Sequence, residues 1–87
     1  MLDKVRTVLR ITHNKLDDEL TDVINACVYD LTIAGVEKIN QDDPLIQQAI
    51  KTYAKLQYET EPNKIDRLTQ AYNSLKIALA LCGDYEV

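Results

Sequence analysis

Tryptophan and phenylalanine are absent from the 87-residue chain, and glycine, proline and cysteine each occur only twice. Two glycines are too few for a glycine-rich phosphate loop, which argues against the common nucleotide-binding motifs. So few helix-breaking residues, together with abundant Leu, Ile and Ala, favour helices. No apolar run approaches the roughly 18–20 residues that cross a bilayer. The start of the chain lacks the basic and then apolar layout of a signal peptide, so we expect a cytoplasmic site of synthesis and no membrane partner.

Histidine and cysteine, which often bind metals or act in catalysis, are also scarce. The single histidine, His13, lies between Thr12 and Asn14, a setting typical of a turn, and has no evident partner for acid–base work. Cys27 and Cys82 are far apart and belong to no Cys-x-x-Cys motif, so we expect two reduced core thiols and no zinc site. The sequence therefore predicts no catalytic residue, no metal and no cofactor.

The formal net charge of −4 is unevenly distributed. Residues 1–15 carry a net charge of +3, residues 16–43 carry −7, and residues 44–87 are balanced. This polarity suits head-to-tail association of identical subunits, whereas duplex DNA binding depends on clustered Lys and Arg. The charged residues expected at such a contact are Lys4, Arg6 and Arg10 on one side and Asp18 and Asp22 on the other.

The densest acidic cluster lies at the expected start of the second helix and comprises Asp17, Asp18, Glu19 and Asp22. Asp18 and Asp22 share a helix face, so one divalent ion could bridge them. The repeated Asp pattern of a calcium-binding loop is absent, however. The positive end of the helix dipole explains the cluster without a metal.

The spacing of apolar residues predicts a single all-α domain of about four helices, over roughly residues 2–10, 15–35, 44–59 and 64–82. The first helix is too short to be stable alone and must dock on the others. Steps of three and four residues are clearest in the fourth helix, at Ile65, Leu68, Tyr72, Leu75, Leu79 and Cys82.

Capping residues mark the predicted helix ends. Asn14 or Thr12 could cap the second helix, and Gly35 suits its end. Asp43 should cap the third helix, with Pro44 at its first position, where a missing N–H costs nothing. Asn63 is the expected cap of the fourth helix, which Gly83 should end.

Some apolar residues exceed what a small bundle needs. Tyr29, Ile33 and Val36 form a second stripe on helix two, and Ile77 and Leu81 lie off the main stripe of helix four. A helix that is apolar on nearly all sides is usually buried, and a neighbouring subunit could cover it. The alternative is that the first helix and the connection over residues 36–43 cover these side chains within the chain.

The last residues alternate in character. Tyr85 and Val87 alternate with Asp84 and Glu86, which is the period of an extended strand. Such a segment could dock on the sheet edge of a partner protein, with Tyr85 and Val87 as its contact residues. The alternative is a solvated end without a function.

Five segments in order give the chain a resemblance to the small head–tail connector proteins of long-tailed phages and prophages, often labelled DNA-packaging proteins. The segments are Val8-Leu9-Arg10-Ile11-Thr12, Leu16-Asp17-Asp18-Glu19-Leu20, Asp42-Asp43-Pro44-Leu45-Ile46, Ala49-Ile50-Lys51-Thr52-Tyr53 and Leu81-Cys82-Gly83-Asp84-Tyr85. Each segment alone is mostly helix cap and core, and their combination over almost the whole chain carries the resemblance.

The resemblance implies an all-α virion component that is assembled in the host bacterial cytoplasm and is not an enzyme. It implies a ring of identical subunits beneath the portal protein, with the twelvefold symmetry of the portal. The ring would extend the DNA channel without sequence-specific binding and offer a platform to downstream head-completion or tail proteins. The chain is short for this family, so any channel-lining loop is reduced to residues 36–43.

Two other functions compete with this interpretation. A small DNA-binding packaging factor, similar to a terminase small subunit, would need a basic recognition helix, and none of the four predicted helices is one. A metal-binding regulator or enzyme has little support from the residues present.

Overall fold

The computed structural model describes residues 1–36 and 39–81, and it consists of four helices. Helix α1 spans Leu2–Val8, α2 spans Asp17–Ile33, α3 spans Pro44–Tyr58 and α4 spans Pro62–Leu81. No strand occurs in the described part of the chain. The predicted all-α fold is confirmed, and α1 and α2 are each shorter than their predicted spans.

Helix α3 is the centre of the bundle, because it packs against each of the other three helices. Its Ile46, Ala49, Ile50 and Ala54 are buried. Helix α1 docks on α2 and α3 through the fully buried Val5, as its shortness required. The other buried apolar residues of the core are Leu20, Ile24, Cys27, Leu31, Val36, Tyr72 and Leu79.

The end of α2 forms the turn that Gly35 predicted. Gly35 adopts a φ of 103°, a left-handed conformation that glycine reaches without steric cost. The Gly35 N–H donates to the Thr32 carbonyl at 3.1 Å, and the Val36 N–H donates to the Leu31 carbonyl at 3.0 Å. These two bonds define a Schellman motif, which turns the chain back toward the core.

The start of α3 is also as predicted. Pro44 takes the first helical position, and the Asp43 carboxylate accepts hydrogen bonds from the N–H groups of Leu45 at 2.8 Å and Ile46 at 3.4 Å. The cap satisfies two of the N–H groups that the first turn leaves without helical partners.

The predicted caps of α2 and α4 are wrong. Helix α2 begins only after Leu16, which makes no side-chain cap, and residues 13–16 form a turn in which His13 Nδ1 accepts from the Lys15 N–H. Helix α4 begins at Pro62, so Asn63 lies inside its first turn. Proline fixes a helical φ at the first position, which starts this helix before the polar residue.

Replacing Asp43 by alanine should lower the free energy of unfolding by about 1 kcal/mol, because two N–H groups at the start of α3 lose their acceptor. Urea unfolding followed by circular dichroism measures this loss. Asp42→Ala is the matched control, because the neighbouring Asp42 side chain is exposed and caps nothing. Equal losses in the two variants would show that the cap does not stabilise the helix.

Candidate functional site

Four large apolar side chains are exposed near the ends of α2 and α4. The exposed fractions are 68% for Tyr29, 68% for Ile33, 57% for Ile77 and 77% for Leu81. Neither α1 nor the described part of the connection between α2 and α3 covers them. The prediction that these residues are surplus to the core is therefore confirmed, and we refer to the four residues as the apolar set.

Val36, which the sequence places on the same stripe as Tyr29 and Ile33, does not belong with this set. Its side chain is fully buried. The residue that follows the glycine of a Schellman motif packs back against the last turns of the helix, which here brings Val36 into the core with Leu31.

A polar network joins α2 to α4 beside the apolar set. Asp30 Oδ2 accepts a hydrogen bond from the Tyr72 hydroxyl at 2.6 Å and from Lys76 Nζ at 3.2 Å. Cys27 Sγ lies 3.8 Å from the same hydroxyl, and the rings of Tyr53 and Tyr72 meet at a centroid distance of 5.2 Å. Asp30 and Lys76 thus fix the position of α4 against α2.

The network also sets the direction in which α4 runs. Cys27 and Asp30 meet Tyr72 and Lys76 in the same order along the two helices, so α2 and α4 point the same way. Both pairs of the apolar set lie in the last two turns of their helices and therefore share one end of the bundle.

Burial and hydrogen bonding shift the pKa values in this network. The Tyr72 hydroxyl and Lys76 hold the pKa of Asp30 below its ordinary value, although partial burial opposes them. Burial, helped by the hydrogen bond to Asp30, raises the pKa of Tyr72. Burial raises the pKa of the Cys27 thiol to about 11, so the thiol stays protonated and unreactive at neutral pH. The predicted role of Cys27 as a reduced core residue is confirmed, whereas Cys82 lies outside the described residues.

The charged residues predicted for subunit contacts have different surroundings. Arg6 is engaged within the chain, since it pairs with Asp3 and its Nε lies 3.6 Å from Asp17 Oδ1 on α2. Lys4, Arg10, Asp18 and Asp22 are exposed and make no ion pair with any described residue. Arg6 therefore stabilises the docking of α1 on α2 before any contact with a neighbour.

The acidic start of α2 and the basic start of the chain lie close together. The Arg6–Asp17 pair places them side by side, and Glu19 lies beside Tyr58 at the end of α3. Burial raises the pKa of Tyr58, and the neighbouring Glu19 carboxylate adds to the rise. The polarity along the sequence thus does not separate the charges to opposite ends of the bundle.

Four cations surround an open cleft at this end of the molecule, and we refer to it as the basic cleft. They are Arg10 after α1, Lys55 in α3, and Lys64 and Arg67 in α4. The cleft has a volume of about 530 Å³, and its other lining residues are Val8, Leu9, Tyr58, Glu59 and Leu68. Sequence reasoning missed this site, because the cations come from three separate segments and residues 44–87 have no net charge.

The remaining predictions concern a membrane span, a metal site and the partner contacts of the last residues. No described helix is long and apolar enough to cross a membrane. Residues 1–36 and 39–81 contain no group of three or more His, Cys, Asp and Glu side chains that could hold a metal ion. Tyr85 and Val87, predicted to contact a partner, lie outside the described residues.

Comparison with known proteins gives one result for the whole chain. A family model described as phage connector protein matches residues 1–86. No curated protein and no solved structure matches the chain. The match covers all four helices and nearly the whole chain, and it agrees with the resemblance in the sequence.

Asp30→Asn should lower the free energy of unfolding at pH 7 by about 1–2 kcal/mol, because Tyr72 and Lys76 lose a charged acceptor at a partly exposed site. The pKa of Asp30 is depressed in the folded chain, so its contribution is complete above the ordinary value of 3.8. This contribution to the free energy of unfolding disappears as the pH falls through the lower pKa that Asp30 has in the folded chain. Urea unfolding at a series of pH values measures both effects.

The matched control is Asp22→Asn, since Asp22 lies on the same helix, is exposed and has no ion-pair partner among the described residues. Its free energy of unfolding should stay within about 0.5 kcal/mol of the wild-type value. A loss for Asp30→Asn that did not diminish in acid would contradict the assignment of the network to the ionised carboxylate.

Proposed function

Because the chain belongs to the phage connector protein family, we propose that it is the ring-forming adaptor between the portal and the tail of a phage or prophage particle. The family is structural, and its members are virion components. In the proposed ring, identical subunits surround the channel through which DNA passes and provide a platform for downstream head-completion or tail proteins. Assembly takes place in the cytoplasm of the host bacterium, on the portal of a filled head.

The observation that carries this proposal is the apolar set. Tyr29, Ile33, Ile77 and Leu81 are all more than half exposed, although an 87-residue chain has few large apolar side chains to spare from its core. Scattered single apolar residues on a surface are ordinary, but two pairs near the same end of two adjoining helices favour an interface.

A ring requires a heterologous contact, in which two different surfaces of the subunit meet. The apolar pairs on α2 and α4, two helices that the Asp30 network joins, would form one of these surfaces. We propose that Lys4, Arg10, Asp18 and Asp22, which are exposed and without ion-pair partners among the described residues, add charged contacts between neighbouring subunits away from the apolar set. Twelvefold symmetry would match the portal and give every subunit the same environment.

The charge of the chain suits passage of DNA. The net charge of −4 includes a run of acidic residues at the start of α2, where Asp18 and Asp22 are exposed. Negative surface near the channel would repel phosphate groups and let a duplex slide without sequence-specific binding.

Ile77→Glu combined with Leu81→Glu should leave the helix content unchanged and block assembly, because charges would enter an interface that is apolar in the particle. Far-UV circular dichroism measures the fold, and complementation of a phage lacking the wild-type gene measures assembly as infectious yield. The matched control is Gln70→Glu with Asn73→Glu, two exposed polar residues on the same helix. This control should fold and assemble normally.

Two results would count against the interface. Loss of the fold in the Ile77 and Leu81 variant would show that these residues stabilise the core of the single chain. Normal infectious yield from a folded variant would remove α4 from the subunit contact.

A further inference from the structure

We propose that the basic cleft binds the acidic C-terminal segment, residues 82–87, of a neighbouring copy of this chain. This contact would link each subunit of the ring to the next. The inference rests on the proposed ring, but it can be tested on the free chain, so its failure is distinct from a failure of the connector function.

The positive charge of the cleft favours an anionic ligand. Arg10, Lys55 and Arg67 make no ion pair with any described residue. Among the described residues Lys64 forms one ion pair, with Glu61 at 3.6 Å on an exposed surface, where such a pair contributes little. Glu59 is the one acidic residue among the lining side chains, so four cations there lack sufficient counter-charge.

The apolar side chains that line the cleft favour a ligand that also carries apolar groups. Val8, Leu9, Leu68 and Tyr58 line the cleft together with the cations, and we refer to these four residues as its floor. A volume of about 530 Å³ is within the range of sites that enclose a small ligand or a few side chains. A DNA backbone presents phosphates and sugars and no large apolar group that would pack on the floor, so the apolar floor favours a peptide.

The backbone at the rim of the cleft is unusual. Arg10 has a φ of 59°, in the left-handed region, and occupies the position of a Schellman motif that glycine normally fills. The Ile11 N–H donates to the Arg6 carbonyl at 2.9 Å, and the Arg10 N–H donates to the Thr7 carbonyl at 3.1 Å. A side chain there costs roughly 1–2 kcal/mol. The presence of an arginine where a glycine would avoid this cost supports a role for its charge.

The C-terminal segment has the matching chemistry. It reads Cys82-Gly83-Asp84-Tyr85-Glu86-Val87, so acidic residues alternate with an aromatic and an aliphatic one. Asp84 and Glu86 can pair with the cations of the rim while Tyr85 packs on the apolar floor. Arginine and carboxylate groups form strong charge-assisted hydrogen bonds, and tyrosine is a frequent anchor in protein interfaces.

The distance along α4 between the cleft and Leu81 favours binding of this segment to a neighbouring copy. Lys64 and Arg67 precede Leu81 by 17 and 14 residues, which places them about 26 and 21 Å back along the helix axis. Asp84 and Glu86 follow Leu81 by three and five residues and reach at most about 11 and 18 Å when fully extended. Asp84 therefore falls short of the cleft on its own α4, and Glu86 would approach it only in a chain that reversed direction and was fully extended, whereas a second copy can bring both carboxylates to the site.

Zero-length cross-linking of full-length chains tests this proposal. Equal amounts of ¹⁴N- and ¹⁵N-labelled protein are mixed at high concentration and treated with a carbodiimide, which joins carboxylates to lysines in contact. Mass spectrometry should find Asp84 or Glu86 joined to Lys64 or Lys55 with mixed isotopes. The Lys64–Glu61 pair is the internal control and should give cross-links of a single isotope only.

Charge reversal makes the test specific. Lys64→Glu with Arg67→Glu should lower the yield of mixed-isotope cross-links to Lys55 by about tenfold or more, equivalent to about 1.4 kcal/mol. Lys15→Glu, an exposed residue outside the cleft, should leave the yield unchanged. Adding Asp84→Lys and Glu86→Lys to the cleft variant should restore binding, measured as self-association by sedimentation.

Three results would overturn the proposal. One is the absence of mixed-isotope cross-links from the C-terminal segment to the cleft. A second is an equal yield in the cleft variant and the Lys15→Glu control. The third is that reversing Lys64 and Arg67 abolishes duplex DNA binding in a low-salt gel shift while the cross-links persist, which would make the cleft a DNA site.

Discussion

The carboxylate of Asp30 holds the two outer helices of this bundle together. It accepts hydrogen bonds from the Tyr72 hydroxyl at 2.6 Å and from Lys76 Nζ at 3.2 Å, across α2 and α4. Helix α4 otherwise packs mainly on α3, so this contact fixes its position relative to α2. The two pairs of the apolar set are therefore held together at one end of the bundle, away from the basic cleft at the start of α4.

Small size is the second constraint. A chain of 87 residues has one modest core, and α3 occupies its centre with side chains that contact all three of the other helices. The apolar residues near the ends of α2 and α4 find no room there. The small core suits a connector subunit, because apolar surface that one copy leaves exposed can be buried between neighbouring copies in a ring.

Local signals in the sequence predicted much of the fold. Apolar periodicity located all four helices, and Asp43, Pro44 and Gly35 marked their ends correctly because each acts on backbone within a few residues of itself in the sequence. Local competition explains the failures: a proline started α4 before Asn63 could cap it, and the turn at His13 delayed the start of α2.

The candidate sites depended more on tertiary structure. The exposed residues Tyr29, Ile33, Ile77 and Leu81 were predictable, because they lie off the main apolar stripes. The Asp30 network was not predicted. The one sign of it in the sequence is Lys76, the single charge in an otherwise apolar stretch over residues 75–82. The basic cleft could not be predicted at all, since folding gathers its cations from the end of α1, from α3 and from the start of α4.

The most direct test of the account is a cryo-electron microscopy reconstruction of the portal vertex in the phage particle that carries this protein. We expect a closed ring of helical subunits stacked on the portal exit, with Ile77 and Leu81 of each subunit buried against the next. A portal vertex without such a ring, or a ring in which the ends of α2 and α4 face solvent, would contradict it.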